Sequence, residues 1–193
     1  MRRRSGLDFS RRRRKVNRTL AKEVFTWSGE IAIVILFALV LMYFFGYRTD
    51  VVGQSMLGTL AEGDSLLVNR FVYKLTPPKE NDIVVFLPNG NKKSYPYVKR
   101  VIGVPGDVVQ IKEGVVYVNG EKFEEVIDPA KIEHPELAEE EVEVGEDEYF
   151  VLGDNRNNSE DSRYANIGNV KKEHIVGKAW FITSPLKNFG FIE

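Results

Sequence analysis

The stretch "VVYVNGEKF", residues 115–123, decides the fold class of this chain. Its valines and tyrosine favour extended backbone, and Asn119-Gly120 is a strong signal for the two-residue turn of a β-hairpin. Comparable runs, separated by Gly, Pro, Asn or Asp, are "SLLVNRFVY", "DIVVFL", "YVKRVIGV", "VVQIK", "YFVLGD" and "HIVGKAWFIT". These runs predict a mostly β domain whose antiparallel sheets close on themselves or pack on one another.

One segment within this domain has a different composition. Residues 124–148 read "EEVIDPAKIEHPELAEEEVEVGEDE", which is strongly acidic. We expect a solvated excursion from the β domain at about 121–148, with a short helix after Pro135.

A long apolar run precedes the β domain. Ile31–Phe45 reads "IAIVILFALVLMYFF" and has no charged residue, and the longer segment 24–47 has Glu30 as its single charged residue. A membrane-spanning helix needs roughly 20 apolar residues, so the sequence predicts a transmembrane anchor at 24–47. Aromatic side chains typical of the two membrane interfaces are Trp27, Tyr43 and Tyr47.

The charge distribution sets the orientation of this anchor. Residues 1–49 carry eleven Lys/Arg against three Asp/Glu, whereas residues 50–193 carry sixteen against twenty-five. Ten of the eleven basic residues lie in 1–23, and basic flanking segments stay cytoplasmic. The sequence therefore predicts a single-pass cell-membrane protein with a cytoplasmic tail at 1–23 and an extracytoplasmic domain at 48–193.

Three other interpretations of the N-terminal region compete with a retained anchor. A cleaved signal peptide would need a small-x-small site, which "FFGYRTDVVG" does not contain. A nucleic-acid patch at "RRRRK" is unnecessary because the anchor explains the charges, so no nucleic-acid partner is expected. A buried core helix is disfavoured because the run is too uniformly apolar for a domain of this size.

The residue types present narrow the chemistry. The chain has no cysteine and only two histidines, His134 and His174. Disulfides, thiolate catalysis and cysteine-ligated metals are therefore excluded, and no evident ligand cluster suggests a metal or cofactor.

Ser55 is the candidate nucleophile, in "VVGQSMLGTL", residues 51–60. The hydrolase elbow Gly-x-Ser-x-Gly does not fit, because the second glycine is Gly58, one residue too far along. A serine needs a base, which leaves either a histidine or a lysine freed of its proton by burial.

Lys99 is the lysine best placed for that role. It interrupts the aromatic and β-branched strand "YPYVKRVIGVPGD", and alternation puts it on the same face as Tyr97 and Val101, with Arg100 opposite. On this strand alone, an edge lysine that reaches solvent is the simpler interpretation.

Three motifs together carry a family resemblance. The motifs follow an anchor with a basic cytoplasmic flank, in the order "SMLGTL", "YVKRVIGVPGD" and "GDNRNNSEDSR". In this arrangement the chain resembles the type I signal peptidases, bacterial serine-lysine enzymes that remove signal peptides from exported proteins. The chain is most similar to the Gram-positive form, from the anchor to roughly Trp180.

The resemblance implies roles for particular residues. Ser55 would be the acylating nucleophile and its backbone N–H the oxyanion donor, while Lys99 would be the general base. Ser159 would orient the lysine, and Asp161 and Arg163 would shape the site.

The chain departs from the family at two positions. Gly53 offers no hydroxyl where some members add a second oxyanion donor, and Gly58 replaces the family's usual proline.

The resemblance also implies a substrate. Signal peptides of exported preproteins would be cut after Ala-x-Ala sites, and the peptide would add as a strand beside "TDVVGQ" and "DIVVFL". Small pockets would be lined by Met56, Tyr97 and Val98. The alternative function is that of a catalytically weak or inactive homologue that acts as a binding or assembly factor for surface structures.

Overall fold

The N-terminal part of the described chain is one long helix. The structure, a computed structural model, describes residues 18–192. Most of the basic tail, including the "RRRRK" run, lies outside the described residues. Helix α1 spans Arg18–Phe45, and its segment Lys22–Val40 is long and apolar enough to cross a membrane. The side chains of Lys22–Val40 are exposed, which contradicts the buried core helix and is consistent with a membrane anchor.

A second compact unit begins at Leu41 and consists mainly of strands. The strands are β1 Tyr47–Asp50, β2 Ser65–Asn69, β3 Ile83–Phe86, β4 Tyr97–Gly103, β5 Val108–Lys112, β6 Val115–Val118, β7 Glu121–Lys122, β8 Val142–Glu143, β9 Glu148–Leu152, β10 Val170–Lys171, β11 Ile175–Ser184 and β12 Gly190–Phe191. The large sheet has the order β1-β2-β11-β3-β4-β9-β10, with β12 also paired to β11. The smaller sheet has the order β7-β6-β5-β8, and the strand pairs are antiparallel. The predicted fold class, antiparallel β-sheets behind one apolar helix, is confirmed.

The predicted hairpin joins β6 and β7. Val118 pairs with Glu121, and the two turn residues Asn119 and Gly120 have φ values of 53° and 81°. Positive φ at both central positions is what a type I′ turn requires, and asparagine and glycine tolerate it best. This local signal therefore predicts the turn correctly without help from tertiary contacts.

Strand β3 lies at the centre of the large sheet and not at its edge. Ile83 and Val85 pack in one core cluster and Val84 and Phe86 in another, so both faces of the strand are buried. The expectation that "DIVVFL" offers an exposed edge is wrong, because β3 is paired with both β11 and β4.

The run "SLLVNRFVY" is also not one strand. β2 ends at Asn69, and Val72–Leu75 forms a short helix, α2. The side-chain oxygen of Asn69 accepts hydrogen bonds from the N–H groups of Phe71 and Val72, each at 3.0 Å. This Asx turn ends the strand, a local effect that the apolar composition conceals.

The acidic segment is not merely a solvated excursion. A 3₁₀ helix follows Pro135 as expected, at Glu136–Glu139. Four apolar side chains of the segment nevertheless join the core cluster under the smaller sheet: Phe123, Ile132, Ala138 and Val144. The glutamates between them are exposed except Glu125, whose side chain is 16% exposed and pairs with Arg156, so the segment packs through its few apolar positions and this one ion pair.

Candidate active site

Ser55 and Lys99 are in direct contact. The Lys99 Nζ and Ser55 Oγ atoms are 2.7 Å apart. Ser55 lies in a turn closed by a hydrogen bond from Leu57 N–H to the Gln54 carbonyl, whereas Lys99 projects from β4. Lys99 is only 3% exposed, so the interpretation of a lysine reaching solvent is wrong. Its Nζ lies 5.1 Å from the centre of the Tyr97 ring, as strand alternation predicts.

Burial makes the amine of Lys99 a weaker base than the amine of an ordinary, hydrated lysine. Loss of hydration lowers the pKa of Lys99 to about 8, against an opposing effect of the nearby carboxylates Asp161, Glu160 and Asp154. With a pKa near 8, about a tenth of the amine is unprotonated at pH 7. This fraction is enough for the amine to act as a base near neutral pH.

The loop after β9 is held together by a buried ion pair. Asp161 is fully buried and accepts hydrogen bonds from Arg163 Nε at 2.8 Å and from the Gly153 N–H at 3.1 Å. Arg163 also donates to the carbonyl oxygens of Arg156 and Ser159. The Asp161–Arg163 pair thus fixes the loop that faces Ser55.

Ser159 lies in this loop and is buried. Its Oγ donates a hydrogen bond to Asp161 at 2.7 Å, so its hydrogen is directed to that carboxylate and not to Lys99. Any effect of Ser159 on Lys99 therefore comes from where its hydroxyl oxygen lies beside Asp161, because its hydrogen is bonded to that carboxylate.

Two residues of the same loop, Gly153 and Asn155, contact the nucleophile turn and were missed by sequence reasoning. A Cβ atom on Gly153 would lie 2.1 Å from Ser159 Oγ and 2.5 Å from the Ser55 carbonyl oxygen. The Asn155 backbone N–H donates to the Ser55 carbonyl, and its side-chain amide donates to the Gln54 carbonyl, each at 3.0 Å. Both residues belong to the quoted "GDNRNNSEDSR" motif. The motif predicts a polar turn but does not indicate which part of the chain its residues contact.

A second buried ion pair ties β4 to the nucleophile turn. Arg100 donates to Asp154 through Nε at 2.9 Å and through Nη2 at 2.8 Å. Thr59 Oγ1 donates to Asp154 at 2.5 Å and accepts from Arg100 at 3.2 Å. The turn that begins at Gln54 is therefore also held at its other end by Thr59, the residue after Gly58.

A narrow cleft of about 180 Å³ opens beside Ser55 and Lys99. The three predicted pocket residues Met56, Tyr97 and Val98 all line it, as does Glu160, which sequence reasoning did not single out. Glu160 accepts a hydrogen bond from the Tyr97 hydroxyl at 2.8 Å, which raises the pKa of Tyr97. At this end of β4, Tyr97 and Val98 pair with β3, while pairing with β9 begins only at Arg100.

Neither histidine contacts the nucleophile. The carbonyl of His134 accepts a hydrogen bond from Arg163, and His174 Nε2 lies 3.6 Å from the Glu173 carboxylate. The group that the structure places against Ser55 is the amine of Lys99.

A serine hydroxyl in contact with a buried lysine amine, beside a cleft on an antiparallel sheet, is the arrangement expected of a serine hydrolase. Residues 24–184 match the family model described as signal peptidase, peptidase S26. The chain belongs to this family, whose members are membrane-anchored serine peptidases that remove signal peptides from exported proteins.

Two relatives in sequence agree with this assignment. The chain is 37% identical to signal peptidase I T of Bacillus subtilis strain 168 over 169 residues, which cover 82% of this chain and 84% of that protein. It is 40% identical to signal peptidase I of Bacillus caldolyticus, over 86% of this chain and 93% of the relative. A crystal structure of a signal peptidase I from Enterococcus faecalis is 30% identical, with a TM-score of 0.40, and covers 52% of this chain and 95% of that one.

Proposed function

We propose that Ser55 and Lys99 form the catalytic dyad of this signal peptidase, and that the enzyme cuts preproteins after a small-x-small sequence such as Ala-x-Ala. The observation that supports the dyad is the 2.7 Å contact between Lys99 Nζ and Ser55 Oγ. Neutral Lys99 takes the hydroxyl proton as Ser55 Oγ attacks the carbonyl carbon before the cut.

The remaining steps follow from the same two groups. When the C–N bond breaks, the Lys99 ammonium gives its proton to the leaving amine, and the signal peptide stays on Ser55 as an ester. Lys99 then takes a proton from water, whose oxygen attacks the ester and releases the signal peptide. The proton finally returns to Ser55 Oγ, which restores the free enzyme.

The backbone N–H of Ser55 is the proposed oxyanion donor. Within residues 18–192 it makes no hydrogen bond to another protein group, so it is available to the negative charge that develops on the substrate oxygen. Gly53 lines the same cleft but has no side chain with which to add a second donor.

The cleft suits an extended peptide with small side chains. Its volume of about 180 Å³ lies below the 300–1,000 Å³ typical of drug-sized ligand sites. A peptide strand between residues 52–54 and the start of β4 would place alternate side chains toward Met56, Tyr97 and Val98. Alanine-sized residues at the first and third positions before the cut fit this limited space.

The orientation of the chain brings the site to its substrate. A basic segment ahead of the apolar helix keeps the N-terminus cytoplasmic, so the catalytic unit lies on the extracytoplasmic side of the cell membrane. A signal peptide crosses the same membrane, and tethering enzyme and substrate to one bilayer raises their effective concentration.

The test is cleavage of a peptide that spans an Ala-x-Ala junction, by the detergent-solubilised chain and by its Lys99→Ala variant. We expect a cut after the second alanine, identified by fragment mass, and a rate loss of at least about 10²-fold in the variant. Unchanged cleavage by Lys99→Ala would overturn the dyad. No cleavage by the wild type, beside an active family member as control, would favour the binding or assembly factor.

A further inference from the structure

A second cleft, of about 340 Å³, lies in the catalytic unit away from Ser55 and Lys99. Residues from just before α2, from α2 itself and from the 3₁₀ turn before β11 line it, including Arg70, Lys74 and Lys172. Its apolar lining includes Leu87 and Ile175. The cleft is therefore amphipathic, with cationic groups beside aliphatic side chains.

The cationic groups of this cleft are unpaired. Arg70, Lys74 and Lys172 are all exposed, and within residues 18–192 none of them forms an ion pair with a carboxylate. Arg70 stacks on the Tyr47 ring, with its guanidinium carbon 5.3 Å from the ring centre. The one acidic residue in the lining, Glu173, is 75% exposed and lies beside His174. With Arg70, Lys74 and Lys172 against Glu173 alone, the lining of the cleft carries an excess of positive charge.

Chain connectivity places the cleft near the membrane surface. Tyr43, which also lines it, follows the apolar segment Lys22–Val40 by three residues, or about 5 Å of helix. Next to Lys74 on α2, Leu75 is 71% exposed. An aromatic ring, an exposed leucine and unpaired cations at this depth match the boundary between acyl chains and headgroups.

We propose that this cleft binds the phosphate of an anionic phospholipid headgroup, with the glycerol and first acyl carbons against its aliphatic side chains. Arginine provides a planar pair of donors for phosphate oxygens, and the two lysines add point charges. A zwitterionic headgroup brings its own cation into the same space and binds less well. This site uses neither Ser55 nor Lys99, so it stands apart from the proposed peptidase mechanism.

The experiment measures lipid binding to the full, detergent-solubilised chain by native mass spectrometry. The probes are a short-chain phosphatidylglycerol, the matching phosphatidylcholine, and soluble glycerol phosphate. The cleft variant is Arg70→Gln/Lys74→Gln/Lys172→Gln. The matched control is Lys92→Gln/Lys131→Gln/Lys187→Gln, which also removes three positive charges from exposed side chains.

We expect wild type and control to prefer phosphatidylglycerol over phosphatidylcholine by at least about tenfold, and the cleft variant to lose that preference. An equal loss in both triple variants would overturn the site in favour of general charge attraction. Glycerol phosphate that binds as tightly as the lipid would overturn the lipid assignment in favour of a soluble phosphate. If the triple variant unfolds, the single variant Lys74→Gln, judged against Lys92→Gln, decides by the same criterion.

Discussion

Lys99 shows how the fold converts an ordinary side chain into a reactive one. Burial removes water from the ammonium and lowers its pKa, while the carboxylates of Asp161 and Glu160 partly oppose this shift. The balance leaves the pKa at about 8, so the amine is close to half neutral at mildly alkaline pH. A more strongly buried amine would be neutral more often but would hold the transferred proton less well.

The first prediction is a pH profile for cleavage that Lys99 controls. Because only the neutral amine acts as a base, kcat/KM should rise about tenfold per pH unit below pH 8 and level off above it. Steady-state cleavage of the Ala-x-Ala peptide between pH 5.5 and 9.5 measures this. Replacing His134 and His174 by Gln should leave the profile unchanged, and a midpoint near 6.5 that vanishes in that double variant would point to a histidine base instead.

At the scale of elements, two loops meet at the site, and their conformation and close approach depend on glycines. The turn from Gln54 to Thr59 carries the nucleophile, and the loop after β9 carries Gly153, whose missing side chain allows the Ser55 carbonyl to approach. Gly58 has a different role, because its φ of 114° is a conformation that other residues adopt rarely. The geometry of each loop therefore depends on the absence of a Cβ atom.

The second prediction concerns Gly58, where the family usually has proline. Proline fixes φ near −65°, whereas the turn here needs φ of 114°, so Gly58→Pro should distort the turn and lower both kcat/KM and the melting temperature. In Gly58→Ala the added Cβ meets no atom within 4 Å, so only backbone strain of about 1–3 kcal/mol is expected. Cleavage rates and thermal unfolding of both variants test this. A proline variant that is faster or more stable than wild type would refute it.

The third prediction concerns the contact between the two loops. Gly153→Ala places a methyl group on Ser159 Oγ and on the Ser55 carbonyl, so we expect about 10²-fold lower kcat with the secondary structure retained. Gly190→Ala is the matched control, because its Cβ would meet nothing within 4 Å and it should keep wild-type activity. Peptide kinetics with circular dichroism separate the two results. Full activity of Gly153→Ala would mean that the loops do not need this close approach.

Across the whole molecule, structural features that depend on a few neighbouring residues were predicted well from the sequence. The Asn119-Gly120 turn and the apolar helix follow from local pattern, whereas the contact between Ser55 and Lys99, 44 residues apart in sequence, was predicted from the family resemblance. The central position of β3 was not predicted, because a short apolar run does not reveal how many neighbours a strand has. The contacts of Gly153 likewise depend on tertiary structure, which a polar turn motif does not encode.

The acidic segment shows most clearly how distant parts of the chain combine. Arg156, from the loop that carries Ser159, donates two hydrogen bonds to Glu125, at 2.6 and 2.7 Å. Asn157 of the same loop accepts from the Glu133 N–H and donates to the Lys131 carbonyl. The segment therefore braces the catalytic loop from outside, which gives a structural role to residues that seemed only solvated.

The fourth prediction tests that brace with Glu125→Gln. Arg156 is 2% exposed, and removing one partner of a largely buried ion pair costs about 3–5 kcal/mol as an upper range. We expect a lower melting temperature and, because the loop that positions Ser159 is loosened, a lower kcat with little change in KM. Glu124→Gln is the matched control, since Glu124 is exposed and adjacent in sequence. Thermal unfolding and peptide kinetics measure the two effects, and a destabilised Glu125→Gln enzyme with wild-type kcat at low temperature would show that the brace supports the fold without reaching the catalytic loop.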